Sequence, residues 1–554
     1  MGVLQYAFAF IFLLSVLIFV HELGHFLVAK ACGVRVLKFS LGFGPPIGIG
    51  RFRMLWKRGH TEYVVAWFPL GGFVKMLGEN PDETEDPELL AHPDETLGSK
   101  PVWQKLAIVF AGPAMNLILP VVVFMGALAV GMPRPAPVVG MVEPASPASD
   151  AGLAVDDRIL AVGGEAVSWW DEVDAALRSR PDEPVRIVFE RGGETQTVVV
   201  PVAARGGFDD FGKVTDVGWS GLRFTRLRAM LGIPDETSAA YLAGLRSGDV
   251  VTSVSGEDVD DWAGFAAIYT AARGPVTLAV ERGDPVETVE MTVPALTDVA
   301  ALGAVPANAL VSFVEPDSPA DRAGLRLGDL LLSVDGEPLR SFESFRDIVQ
   351  TGGGATLALT VASEGRLRTV RVAPELVPTD IGLGIEEPRY RVGIGANPAV
   401  TLGPVGLDQV RNPLESAPRA TAMTIDYTSK FLEGLSKIVT GEVSRKQIAG
   451  PIGIAEIAGR ALERGWETYI SILVVISINL GILNLLPIPI LDGGQAVIFA
   501  IEGIKRSPVS LRTREIFQQI GFTILVLLMG LAFWNDLSRH WSRLVDWFSS
   551  SPGL

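Results

Sequence analysis

One apolar stretch constrains this chain more than any other, because it carries titratable groups. Phe8 to Val20 is almost wholly hydrocarbon and runs without a break into His21-Glu22-Leu23-Gly24-His25-Phe26. A backbone in hydrocarbon must satisfy its own hydrogen bonds, so the stretch is read as a helix. Ionisable groups at membrane depth are costly and mark function by default. On a helix, His21 and His25 lie four apart on one face, so both imidazoles reach one zinc ion. Glu22 stands beside them, placed to take a proton from a water at the metal. The pattern H-E-x-x-H belongs to metalloproteases. Two interfacial histidines without a metal are the plainer reading; the apolar setting weighs against it.

The rest of the composition fits a membrane protein with soluble parts. The 554 residues are 48% hydrophobic, with a formal net charge of −16 and a single cysteine, Cys32. That length corresponds to roughly four domain-sized units. The acidic balance argues against nucleic acid as a partner. One cysteine excludes an internal disulfide and a cysteine-rich zinc site. The N-terminus lacks a basic region before Lys30, and its apolar run continues into His21 and His25 without an A-x-A cleavage pattern. It therefore reads as a retained transmembrane helix, Leu4 to about Ala29, not a signal peptide.

The basic residues set an orientation. Arg35, Lys38, Arg51, Arg53, Lys57, Arg58, Lys75 and Lys100 all lie between the first span and a second, Leu106–Gly131. By the positive-inside rule this loop is cytoplasmic and the N-terminus is outside. A third span, Tyr469 to about Leu486, and a fourth, Ile516–Trp534, flank Lys505, Arg506, Arg512 and Arg514. Four spans with both termini outside give a consistent alternation. Asn116, inside the second span, is read as a helix-packing hydrogen bond.

Within the first loop, Tyr63–Phe68 and Phe73–Leu77 are β-prone and flank Pro69-Leu70-Gly71-Gly72. This predicts a hairpin, either on a soluble core or dipping toward the metal, where a free edge would pair with an extended substrate. Glu79–Thr96 is acidic, contains three prolines and reads as a loop.

Gly140–Leu376 repeats itself. Ala151-Gly152-Leu153, Ala243-Gly244-Leu245 and Ala323-Gly324-Leu325 each lead to a Gly-Asp or Asp-Asp turn and a strand pair. The pattern resembles bacterial-type PDZ domains, with Ser146-Pro147-Ala148 and Ser318-Pro319-Ala320 in two copies. The middle copy has Ser238-Ala239-Ala240 and no proline. PDZ domains bind extended peptides, often at free termini; spacers or a size filter are the alternative. Gly403–Glu415 and Thr421–Val439 read as amphipathic helices on the outer surface.

A catalytic zinc needs a third protein ligand and an open position. Asp492 is the best candidate: it stands at the cytoplasmic end of the third span, at the depth of His21 and His25. Pro487 and Pro489 prevent a regular helix there, and Gly493-Gly494 allows a sharp turn.

H-E-L-G-H in the first span, with N-L-L-P-I-P-I-L-D-G-G late in the chain, resembles the site-2 protease family of intramembrane zinc metalloproteases. The G-G-F-V-K-M hairpin, the A-G-P-A-M-N second span and the inserted PDZ copies are similar to its bacterial regulator-of-sigma-E branch. The resemblance implies zinc (Zn2+) at His21, His25 and Asp492, with Glu22 as general base. It implies that Asn484 helps hold an unwound substrate, and that Gly71, Gly72, Phe73, Val74, Lys75 and Met76 present an edge strand to it. Members usually carry one or two PDZ copies; this chain has three.

The expected fold is a polytopic α-helical membrane protein with four transmembrane helices, a membrane-associated β-hairpin and inserted α+β PDZ domains. The expected divisions are 1–136, PDZ copies at 137–206, 225–298 and 307–377, amphipathic helices at 385–467, and a C-terminal membrane half at 468–554. The expected activity is intramembrane cleavage of a single-span protein such as a trimmed anti-sigma factor, in a bacterial inner membrane, with termini and PDZ copies periplasmic. Lipid and peptide termini are further expected partners. The rivals are a non-catalytic PDZ adaptor and a membrane-anchored protease of soluble proteins. Intact His21, Glu22, His25 and Asp492 speak against the first, and the cytoplasmic depth of both motifs against the second.

Overall fold

The computed structural model describes residues 3–48, 53–79, 91–208, 214–283, 285–339, 341–380, 386–396, 399–441, 448–507 and 509–550. Two compact units emerge: Met1–Met132 with Asp380–Glu386 and Gln409–Leu554, and Pro133–Thr379 with Glu387–Asp408.

In the first unit the helices are α1 (Val3–Ala31), α2 (Val102–Val130), α3 (Pro413–Thr440), α4 (Pro451–Glu463), α5 (Trp466–Leu485), α6 (Asp492–Lys505) and α7 (Leu511–Ser550). Four stretches are long and apolar enough to cross a membrane: Leu4–Ala31, Val102–Val130, Trp466–Leu485 and Leu511–Ser538. They are the four segments expected from hydropathy. The fourth helix starts earlier than Ile516 and runs on past Trp534, since no proline or glycine lies between Trp534 and Ser550 to stop it. Helix α2 is the hub, packing on α1, α3, α5 and α6.

The expected amphipathic pieces differ from what is found. One helix, α3, covers both from Pro413 onward, capped by the Asn412 side chain accepting from the Leu414 amide. Ahead of it, Gly403, Pro404 and Gly406 disfavour helix, and Val400–Thr401 forms a strand paired with Arg226–Leu227. Residues 387–408 thus belong to the second unit, not to a run of surface helices.

Strands β1 (Val36–Pro46), β2 (Leu55–Arg58) and β3 (Thr61–Met76) form one sheet in the order β1-β3-β2. The two halves of β3, expected to pair as a hairpin, do not face each other. Strand β1 lies between them: Ser40 is opposite Phe73 and also Val64, and Phe39 is opposite Val74 and also Tyr63. Between the two limbs Gly71, at φ +151°, lets the chain swing round the end of β1. Residues 80–90 of the acidic loop lie outside the described residues. The rest of that loop turns through Pro93–Glu95 and ties back by an Arg35–Glu95 ion pair at 2.6 Å.

The second unit contains three modules, each with a four-stranded sheet of the same order and two short helices, the second module having a third at Val299–Leu302. The repeated aspartates explain the sequence pattern. Asp157, Asp249 and Asp329 are almost fully buried. They accept the amides of Ala154, Arg246 and Arg326 and are clamped by Arg191, Arg282 and Arg368. Each arginine also donates to the carbonyl of Gly152, Gly244 or Gly324, so loop and sheet are tied in one network. Each module is closed by a short ladder whose second strand arrives late: Met141–Val142 with Leu222–Arg223, Leu231–Gly232 with Val305–Pro306, and Val311–Val314 with Ile394–Ala396. The modules therefore extend beyond the limits 206, 298 and 377 read from the sequence. A cavity of about 250 Å³ lies between the helix Trp170–Arg178 and the turn around Gly218–Leu222; Glu343, Arg346 and Asp347 of the third module also line it. Arg223 at its edge bridges Glu143 and Glu343, and burial pushes the Asp347 carboxyl up against the pull of Arg205, Arg346 and Arg223.

Candidate metal centre

Helix α1 places His21 and His25 one turn apart, with ring centroids 4.8 Å apart and Nε2 atoms 3.2 Å apart. The third group arrives from the corner after α5. Pro487 and Pro489 hold that segment out of helix until Asp492 opens α6. Asp492 Oδ2 then lies 3.1 Å from His21 Nε2 and 3.6 Å from His25 Nε2. The ligand atoms of these three residues all lie within 4.8 Å of one another. Two imidazole nitrogens and one carboxylate oxygen are the protein donor set of a catalytic zinc site, in which water takes the fourth position. The outer partners agree: His25 Nδ1 donates to the Ile108 carbonyl at 2.8 Å, which leaves its Nε2 lone pair facing Asp492.

Glu22 lies on the same helix and meets β3. A methyl added at Gly72 would stand 3.1 Å from Glu22 Cγ, and the Val74 amide donates to the Glu22 carboxylate. Strand alternation sorts the six expected substrate-binding residues. Gly72, Val74 and Met76 alternate along one face, and Val74 and Met76 are buried. Phe73 stacks on Phe43 with centroids 6.0 Å apart, under the Lys38 ammonium, while Lys75 is opposite Lys38 in the β1 register. Gly71 also packs against the Phe43 ring. Asn484 sits half-buried on the last turn of α5, on the corner that delivers Asp492. Its side chain makes no hydrogen bond to His21, Glu22 or His25 among the described residues.

Two residues of α2 complete the site, and sequence reasoning did not single out either for it. A methyl at Gly112 would stand 2.3 Å from His25 Nε2 and 2.8 Å from His21 Cε1, so the imidazoles rest on bare backbone. Asn116 is fully buried, with Nδ2 3.2 Å from His21 Nδ1, and its backbone carbonyl accepts from Ser477 Oγ at 2.7 Å. The available signal was the spacing: Gly112 and Asn116 are four apart and share a helix face. On α5, Asn479 Oδ1 is buried with no partner among the described residues.

The sequence profile of peptidase family M50 matches residues 9–528. The regulator of sigma-E protease RseP of Escherichia coli (strain K12) is 33% identical over 539 residues, covering 96% of this chain and 98% of that protein. The protease RseP of Yersinia pestis is 32% identical over 544 residues, covering 97% and 100%. A protein of Neisseria meningitidis serogroup A, provisionally named a zinc metalloprotease, is 30% identical over 542 residues, covering 96% and 98%.

Proposed function

The chain belongs to peptidase family M50 and is a zinc-dependent protease with four membrane-crossing helices, and from that premise we propose that His21, His25 and Asp492 hold the zinc, Glu22 is the general base, and the bond cut lies in a membrane-spanning segment of the substrate. The observation that carries this is the meeting of three ligand atoms within 4.8 Å inside an apolar span, beside a strand limb that touches Glu22.

When bound, zinc lowers the pKa of water and polarises a carbonyl. The chain's own residues do the rest. Glu22 takes the proton of the attacking water and passes it to the leaving amine. A helical substrate hides its carbonyls in intrahelical bonds, so it must unwind before it is cut. The limb Gly71–Met76 offers edge amides and carbonyls that offset the lost bonds by strand addition. Asn484 adds a side-chain partner for the opened backbone.

The substrate class is a single-span membrane protein already trimmed on its outer side, of the anti-sigma-factor type, in line with relatives named regulators of sigma-E. The three modules of the second unit are PDZ domains. Each small helix starts at a capping serine, Ser146, Ser238 or Ser318, next to an Ala-Gly-Leu turn. They exclude untrimmed substrates and offer grooves for peptide termini. By the positive-inside rule the modules and both termini are periplasmic in a bacterial inner membrane, and lipid contacts the outer faces of the spans and α3.

The deciding experiment reconstitutes the chain with a trimmed single-span substrate and compares wild type with Glu22→Gln. Cleavage should fall by roughly 10²–10⁴-fold, the usual worth of a general base, while zinc content stays at the wild-type level. Unchanged cleavage refutes the role of Glu22.

A further inference from the structure

The two zinc-site histidines face different kinds of partner through Nδ1. His25 Nδ1 meets the Ile108 carbonyl at 2.8 Å. A carbonyl only accepts, so the ring proton stays on Nδ1 and Nε2 keeps its lone pair. His21 Nδ1 meets Asn116 Nδ2 at 3.2 Å. A carboxamide offers a donor on one side and an acceptor on the other, and a half-turn about its last torsion exchanges them. Asn116 is 0% exposed, and its Oδ1 is buried with no partner among the described residues. Leaving such an atom unpaired is costly, so a fixed donor orientation is not the end of its role.

The requirement at His21 is specific. For Nε2 to bind a metal it must give up any proton, and the ring proton must then sit on Nδ1. Nδ1–H needs an acceptor, and the amide nitrogen now facing it is a donor. Asn116 Oδ1 is the acceptor atom that rotation brings to that place. The backbone does not have to move: the Asn116 carbonyl is pinned by Ser477 Oγ, and the side chain alone turns.

We propose that Asn116 is a positioning residue for the zinc site. Its carboxamide turns with the tautomer of His21, donating from Nδ2 when the proton is on Nε2 and accepting at Oδ1 when Nε2 is the ligand atom. The exchange moves one proton from Nε2 to Nδ1 by way of water and leaves the total number of protons unchanged. His25 is set as a ligand by a fixed carbonyl; His21 is set by a group that turns. The inference rests on the zinc reading of His21, His25 and Asp492.

The test measures zinc affinity of the full chain in detergent by competition with a chromophoric chelator. Asn116→Leu keeps the bulk and removes both polar atoms; its affinity should fall by about 10–100-fold, the usual loss of an outer partner of a ligating histidine. Asn116→Asp is an obligate acceptor and should restore affinity to the wild-type level or above. A packing role alone would shift the thermal midpoint of both variants and leave zinc affinity unmoved. Wild-type affinity in Asn116→Leu overturns the inference, as does an Asp variant as weak as the Leu variant. If Asn116→Leu does not fold, Asn116→Ala takes its place and the comparison of Asp with Ala decides. His21→Ala separates the two layers. Should it keep its zinc, the ligand assignment fails; should it lose zinc while Asn116→Leu retains it, only the role of Asn116 fails.

Discussion

At the scale of single residues, the site depends on a residue with no side chain. Gly112 lets both imidazoles lie against α2, and a methyl there would meet His25 Nε2 at 2.3 Å. Backbone cannot retreat as a flexible side chain can, so Gly112→Ala must push the rings off the point they share with Asp492. We expect zinc affinity to drop by about 10-fold or more, as when ligand orientation is lost, with the four-helix part still folded. Retention of zinc at wild-type affinity would show that α1 and α2 can part at no cost. The residues proposed for the chemistry were legible in the sequence. His21, Glu22 and His25 follow from a spacing within one helix, and Asp492 from matching depth plus a proline-broken corner. Gly112 and Asn116 were not, because their role exists only where α2 crosses α1, and the order of residues along α2 does not say what it crosses.

At the scale of elements, β3 is the part whose form was least foreseeable. Two β-prone runs flanking a proline–glycine stretch read as a hairpin, yet the runs clasp β1 instead of each other. Pairing partners are a long-range choice, and the alternation of apolar residues is satisfied equally by either neighbour. The consequence for function is that the second limb has one side committed to β1 while the Val74 amide turns to Glu22. Val74→Pro removes that amide and leaves β1 pairing at Gly72 and Phe73 available. Cleavage of a single-span substrate should be lost or reduced at least tenfold while zinc content is unchanged. A fully active Val74→Pro would mean that the limb does not hold substrate. The amphipathic segment shows a milder form of the same limit. The helix after Asn412 was legible from its pattern, but its start was misplaced by ten residues, since Gly403, Pro404 and Gly406 end one structure before the next begins.

At the scale of the whole molecule, the four spans and the threefold repeat could be read directly, the spans from hydropathy and the repeat from self-similarity. Module limits could not, because each closing strand comes after a gap that carries no repeat signature. If the array is a filter, removing residues 229–307 should leave cleavage of a trimmed substrate intact and raise the rate on an untrimmed one. The ratio of the two rates is the readout, and an unchanged ratio removes the second module from any filtering role. That deletion is suggested by the chain path itself. Ala307 donates its amide to the Met230 carbonyl at 3.0 Å, and Leu231 and Gly232 pair with Pro306 and Val305. The second module thus leaves the chain and rejoins it at one point, through a neck only two strands wide. Such a segment behaves as a cassette: a genome can gain or lose it in one event, and the chain on either side, ending at Arg228 and resuming at Asn308, keeps its route.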